Sequence, residues 1–236
     1  MNPTTLQYLV ELRHRLLKSA CCAVLLFIPL FFYANKIFLF LAKPLTQYLH
    51  GPMVAINVTA PIMVPIELAA KLACLLTLPY LIYQIWSYVT PALYSHEGKL
   101  LRQLYATSMV LLICGLLFCY FIALPLLFGF FTSSTDPQIQ LLPDISYYMS
   151  LTSRFFLLFA CTFQIPVILY FLIRTNIFTI EQLQSASSYI IVIAFTLGML
   201  LTPPDVLSQI LLAVPMCLLY ELGLLMAKKL PKKPIE

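Results

Sequence analysis

Charge is what this sequence has least of. Only 10% of its 236 residues are charged, against 61% hydrophobic and a mean hydropathy of +0.93. A soluble domain of this length has too little interior to hide so much apolar surface, so lipid is the solvent for most of the chain. The patterns of common catalytic centres are missing too: there is no GxSxG, no HExxH, no Walker loop and no pair of aspartates within adjacent apolar runs. His14, His50 and His96 lie in separate segments outside those runs. An enzyme working inside the bilayer needs ionisable groups at depth, and depth here offers only Gln164, with Gln84 and Gln209 nearer the ends. The chain therefore reads as a non-enzyme without a cofactor. Seven cysteines (21, 22, 74, 114, 119, 161 and 217) all fall inside apolar runs. An odd number without a CxxC pair excludes a disulfide framework and a zinc site, leaving small, polarizable packing residues. The alternating pattern of an outer-membrane barrel is absent as well.

What is present is a series of long apolar runs. Six read as membrane helices, at about 16–34, 68–88, 104–131, 155–174, 187–203 and 206–226; a hydrocarbon core of about 30 Å needs roughly 20 residues. Ala106 to Phe131 carries no charge at all. The fifth and sixth runs are short, with only TPPD (202–205) between them, which implies constrained tilt or a locally thinned bilayer. Pro29, Pro79, Pro125, Pro166 and Pro215 fall within the runs and predict kinks, because proline removes a donor and crowds the preceding turn. The predicted fold is thus all-α and polytopic: one domain, 1–236, of six bent transmembrane helices.

Basic residues set the orientation. Arg13, Arg15 and Lys18 precede the first run, Lys99 and Arg102 the third; Arg174 follows the fourth, and Lys228, Lys229, Lys232 and Lys233 follow the sixth. The opposite side holds Lys36 and Lys43, with Lys71 and Arg154 near the starts of runs. The excess places both termini in the cytoplasm, and the net charge of +5 reflects that bias rather than a nucleic-acid partner. Residues 4–18 form an amphipathic pattern (Leu6, Leu9, Val10, Leu12, Leu16) suited to the membrane surface. With no cleavage site after the first apolar run, it is not a removable signal. Residues 35–66, with Pro44, Gly51-Pro52, Pro61 and Pro65, predict a compact extracytoplasmic cap; 227–236 is a basic tail.

Against that pattern Glu11 stands out, a carboxylate among basic residues at the cytoplasmic surface. Arg15, four residues on, provides an intrahelical ion pair of about 0.3–0.5 kcal/mol. Glu97, beside His96 and Lys99, has a similar local reading as a solvated loop charge. Yet both acids lie on one side of the membrane, near Tyr88 and Tyr94, and two carboxylates are suited to gripping guanidinium forks. Gln164 cannot titrate, and Glu67, Asp205 and Glu221 sit near the ends of runs. With no internal repeat, the chain lacks the usual marks of a coupled transporter. Gln164 reads as a polar group bonding another helix, worth about 1 kcal/mol or less.

Five motifs then tip the balance. LVELRHRL (9–16), LPYLIYQIWSYVTPALYSHEGK (78–99), FQIPVILY (163–170), GMLLTPPDVLSQILLAVPM (198–216) and LLYELG (218–223) follow in an order that resembles the TatC family, the multispanning subunit of the twin-arginine, Sec-independent translocase. The resemblance covers almost the whole chain. It implies a receptor for signal peptides with consecutive arginines that passes folded proteins across the bacterial cytoplasmic membrane, driven by proton-motive force. Its partners would be small single-span subunits of the TatA and TatB types, in an oligomeric complex. By motif position, Glu11 and Glu97 would pair with the signal's arginines and Arg13 and Arg15 would fix the helix and its charges. Tyr88, Tyr94 and His96 would complete the site; Asp205, Pro44, Pro79 and Gln164 match further partner-contacting or structural positions. Tyr8, Glu67, Gly98 and Gln164 depart from the family pattern, the last standing where glutamate is frequent. The alternative reading, a secondary small-solute or ion transporter, predicts substrate flux in liposomes holding this protein alone.

Overall fold

The computed structural model describes residues 3–46, 54–93, 98–133, 144–175, 177–201 and 205–228, which are almost entirely helical. Helix α1 spans Pro3–Thr46, α2 Ala60–Leu93, α3 Gly98–Phe118, α4 Leu124–Ser133 and α5 Ile145–Thr162. After these come α6 Ile165–Arg174, α7 Ile180–Ser185, α8 Ser187–Leu201 and α9 Val206–Lys228. Among the described residues, extended pairing is limited to an isolated bridge between Val54 and Asp144. The all-α membrane architecture is as the sequence predicts. Val10–Lys43, Ala60–Tyr88, Arg102–Ser133, Ile145–Arg174 and Val206–Lys228 are long and apolar enough to cross a bilayer. Ser187–Leu200 is apolar but shorter. The 15 residues of α8 rise about 22 Å, less than the hydrocarbon thickness. Large apolar side chains such as Leu25, Phe32, Val192 and Leu200 point outward, the inverse of a water-soluble surface and what lipid requires.

The first helix is longer than its apolar run. The sequence places a surface helix over 4–18, a span over 16–34 and a cap over 35–66; the structure draws one 44-residue helix through Thr46. Asn35, Lys36 and Lys43 interrupt hydropathy without breaking the backbone pattern. Each lysine folds back over an aromatic ring, Lys36 Nζ 5.6 Å from the Tyr33 centroid and Lys43 Nζ 5.8 Å from that of Phe40, a favourable placement for a cation. Pro3 sits in the first turn, where its missing N–H costs nothing. In α2, Pro61 falls in the opening turn for the same reason, while Pro65 lies in the second turn.

Two prolines reshape their helices as expected. Between α3 and α4 the chain makes a π-helical turn, Cys119–Ala123, in which the Leu124 N–H donates to the Cys119 carbonyl, one residue further back than in an α-helix. Pro125 lies immediately beyond, and the widened turn relieves its clash with the preceding carbonyl. At Pro166 the predicted fourth span breaks instead: α5 ends at Thr162, and α6 restarts at Ile165 with the proline in its first turn. Helices α1, α2 and α9 run on past Pro29, Pro79 and Pro215.

The chain packs as two compact units, residues 1–109 with 128–153, and 110–127 with 154–236. In the first, α1 lies against α2, with small residues such as Ala34, Ala42, Ala69 and Ala73 buried. Small side chains let backbones approach where lipid supplies no hydrophobic drive. Trp86 Nε1 donates to Ser108 Oγ at 3.2 Å, Tyr83 stacks edge-on against Tyr105, and the Phe128 and Tyr148 rings are 5.0 Å apart. In the second unit Phe155 and Phe159 are fully buried, with Phe118 packed on Phe159 at 5.3 Å. Leu169, Tyr220 and Leu224 form a further cluster. Only Cys119 among the cysteines is buried; Cys21, Cys74, Cys114 and Cys161 are exposed, so most of them face outward rather than packing internally.

Candidate functional site

Glu11 and Arg15 occupy successive turns of α1 and meet. Arg15 Nη2 and Nε donate to the same carboxylate oxygen, Glu11 Oε1, at 2.7 and 3.0 Å. The carboxylate side chain is 49% exposed and the guanidinium side chain 22%, so the pair straddles the edge of the protein with its acid outward. Glu11 Oε2 accepts no hydrogen bond among the described residues. An exposed pair four residues apart contributes about 0.3–0.5 kcal/mol, too little to keep the acid from a competing cation. Arg13 and His14 are exposed on neighbouring positions.

The third arm of Arg15 leaves α1. Its Nη1 donates to Gln84 Oε1 in α2 at 3.0 Å, and Gln84 Nε2 donates to Tyr80 Oη at 2.7 Å. Because arginine only donates, Gln84 must turn its oxygen to Arg15 and its nitrogen to Tyr80. Ser19 Oγ, buried one turn on, donates to the Arg15 carbonyl at 3.1 Å. Tyr80, Gln84 and Tyr88 recur every four residues along α2, one stripe of the helix, and all three are half-buried. Sequence reasoning sets Gln84 aside as a polar residue near a helix end; the only hint was its polarity within an apolar run. Tyr94, His96 and Glu97 lie outside the described residues.

The remaining predicted positions have their own local settings. Asp205 caps α9: its Oδ2 accepts from the Ser208 N–H at 2.7 Å, offsetting an orphan donor at the helix start. Asp205 Oδ1 and Ser208 Oγ are buried without a partner among the described residues. Gln164 is the N-cap residue just before α6, and its carbonyl accepts from the N–H groups of Val167 and Ile168 at 3.1 Å. Pro79 lies half-buried within α2, and Pro44 in the last turn of α1. Among the described residues no three His, Cys, Asp or Glu side chains converge as a metal site would need.

Comparison with known proteins finds matches along nearly the full length of the chain. The family model described as "Sec-independent protein translocase protein (TatC)" matches residues 7–215. A Sec-independent protein translocase protein TatC of Haemophilus influenzae is 45% identical over 223 residues, covering 94% of this chain and 87% of the relative. The TatC of Escherichia coli K12 is 37% identical over 223 residues, with 94% and 86% covered. A crystal structure described as the twin arginine translocase receptor TatC superimposes with a TM-score of 0.86 at 33% identity, covering 94% of this chain and 98% of that one.

Proposed function

Because this chain belongs to the TatC family of Sec-independent protein translocase proteins, we propose that it is the translocase's signal-peptide receptor, with Glu11 as one of two carboxylates that bind consecutive arginines. The observation that carries this is the state of Glu11: outward-facing, held from one side by Arg15, and with one oxygen uncommitted. A held carboxylate with an open edge is a ready acceptor for a guanidinium, and a charge-assisted bond contributes about 1.5–3 kcal/mol.

Glu97 supplies the second carboxylate in this reading, with Tyr88, Tyr94 and His96 flanking it and Arg13 and Arg15 ordering the charges. Arginine is preferred over lysine because an ammonium lacks the planar fork. Both termini face the cytoplasm of a bacterial inner membrane. Folded precursors cross at the expense of proton-motive force, with single-span TatA- and TatB-type subunits as partners in an oligomeric complex. Asp205 and Gln164 serve as structural or partner-contacting polar sites, alongside Pro44 and Pro79.

The test is binding or crosslinking of an Arg-Arg signal peptide to wild type, Glu11→Ala and Glu97→Ala, beside a Lys-Lys peptide. Each variant is expected to lose most binding, and wild type to prefer Arg-Arg. Normal binding and transport by both variants would reject the site. Solute flux in liposomes containing this protein alone would favour the transporter reading instead.

A further inference from the structure

Arg15 poses a difficulty for the site just described. A guanidinium one turn from Glu11 is itself the natural ligand of that carboxylate. Left to itself it can swing to engage both oxygens in the bidentate fork that arginine and carboxylate favour. An incoming arginine would then find its acceptor occupied. In the structure Arg15 does not close that fork. Its Nε and Nη2 both converge on Oε1 of Glu11, and its Nη1 is drawn across to Gln84 on α2. Gln84 is in turn fixed by Tyr80 one turn earlier on the same helix. The two attachments pull the guanidinium toward α2, and Arg15 is the less exposed partner of its ion pair.

We propose that Gln84 is a positioning residue of the twin-arginine site: by anchoring Arg15 to α2, it confines Arg15 to one oxygen of Glu11 and keeps the other oxygen open for the signal peptide. This rests on the reading of Glu11 as a signal-peptide ligand. Gln84 touches no ligand; it acts through Arg15, and Tyr80 acts through Gln84. A neutral amide suits the task. It accepts from Arg15 without adding a charge that would compete with Glu11 for the incoming arginine, and its opposite end donates to Tyr80, which fixes its orientation. The sequence offers no local sign of this, since the two residues are 69 apart.

The experiment uses the full-length protein in lipid nanodiscs and fluorescent Arg-Arg and Lys-Lys signal peptides, with affinity as the readout. Gln84→Met keeps the stem and removes both hydrogen bonds; Gln84→Ala repeats the test by truncation in case the first variant misfolds. Either should weaken Arg-Arg binding by roughly tenfold, the effect of losing one bond to a charged group, and narrow the preference over Lys-Lys. Gln84→Glu, which still accepts from Arg15 but adds a competing charge, should recover binding in part, to within about threefold of wild type. In an Arg15→Gln background, Gln84→Met should have no further effect, because residues acting through one contact are non-additive. Unchanged affinity in Gln84→Met and Gln84→Ala, or equal losses with and without Arg15, would overturn the role of Gln84 while a Glu11→Gln defect leaves the site standing. Undiminished binding by Glu11→Gln would overturn the site itself.

Discussion

Tyr148 in α5 donates its hydroxyl to the main-chain carbonyl of Leu41 in α1 at 2.6 Å, a buried bond spanning 107 residues of sequence. The ring is 2% exposed and rests on Phe128, so the hydroxyl is the polar tip of an otherwise apolar anchor. It joins the far end of α1 to the start of α5 within one packing unit. Close by, Asp144 accepts from the N–H groups of Ile56 and Tyr147, each at 3.3 Å, and the Ile145 N–H donates to the Val54 carbonyl. Residues 54–56 and the start of α5 with Asp144 are thereby stitched together.

Tyr148→Phe isolates the hydroxyl from the ring. It should destabilise the protein by about 1 kcal/mol, the net worth of a typical intramolecular hydrogen bond, with the aromatic packing retained. Thermal unfolding in detergent of wild type and Tyr148→Phe reads this directly; an unchanged midpoint would mean that the hydroxyl contributes nothing.

Gly223 has no room for a side chain. A Cβ there would sit 2.8 Å from Leu169 Cδ1 and 3.0 Å from the Pro166 Cα, and the latter is backbone that cannot step aside. Gly223→Ala gains about 1 kcal/mol of helix propensity but meets an overpacking cost of about 1–3 kcal/mol. A lowered unfolding midpoint is expected, and a larger drop for Gly223→Val. A stabilised Gly223→Ala would contradict the close approach of α6 and α9.

Asp205 carries a prediction in which charge and geometry separate. Asp205→Asn keeps an oxygen for the Ser208 N–H and should be nearly neutral in stability. Asp205→Ala removes the cap and should cost about 1 kcal/mol. Amide hydrogen exchange at Ser208 reports the same event locally, with faster exchange expected in Asp205→Ala alone.

Pro166 accounts for the break between α5 and α6. Pro166→Ala supplies the missing N–H and removes the ring clash, so the two helices should join through Phe163 and Gln164. Slowed amide exchange across 163–167 would show this; unchanged exchange would place the cause of the break elsewhere.

Much of this fold was written in local pattern. The α8 and α9 boundaries fall within about two residues of the runs 187–203 and 206–226, because the Thr-Pro-Pro-Asp between them is an unambiguous stop and restart. The prolines at 125 and 166 announced their distortions. Hydropathy misplaced the end of α1, since Asn35 and Lys36 look like an exit from lipid while the helix continues and lays its lysines along aromatic faces. It passed over α7 as well, although Thr179 and Gln182 form a reciprocal capping box that residue spacing could have revealed. At the candidate site, the ion pair of Glu11 with Arg15 was legible from a spacing of four. The bond from Arg15 to Gln84 was not, because nothing local links a basic residue in one helix to an amide in another. Tertiary packing alone brings them together.

The π turn at Cys119–Ala123 bears on how this helix tolerates change in length. Adding one residue to an ordinary α-helix rotates everything downstream by about 100°, which would swing lipid-facing groups into the interior. Here the surplus residue is taken up inside a single wide turn, so Leu112 before it, Cys119 within it, and Leu124 and Leu127 after it all remain buried. Length and facing are thereby decoupled: a deletion confined to those five positions would shorten the membrane crossing by one residue while each side chain beyond it kept its neighbours.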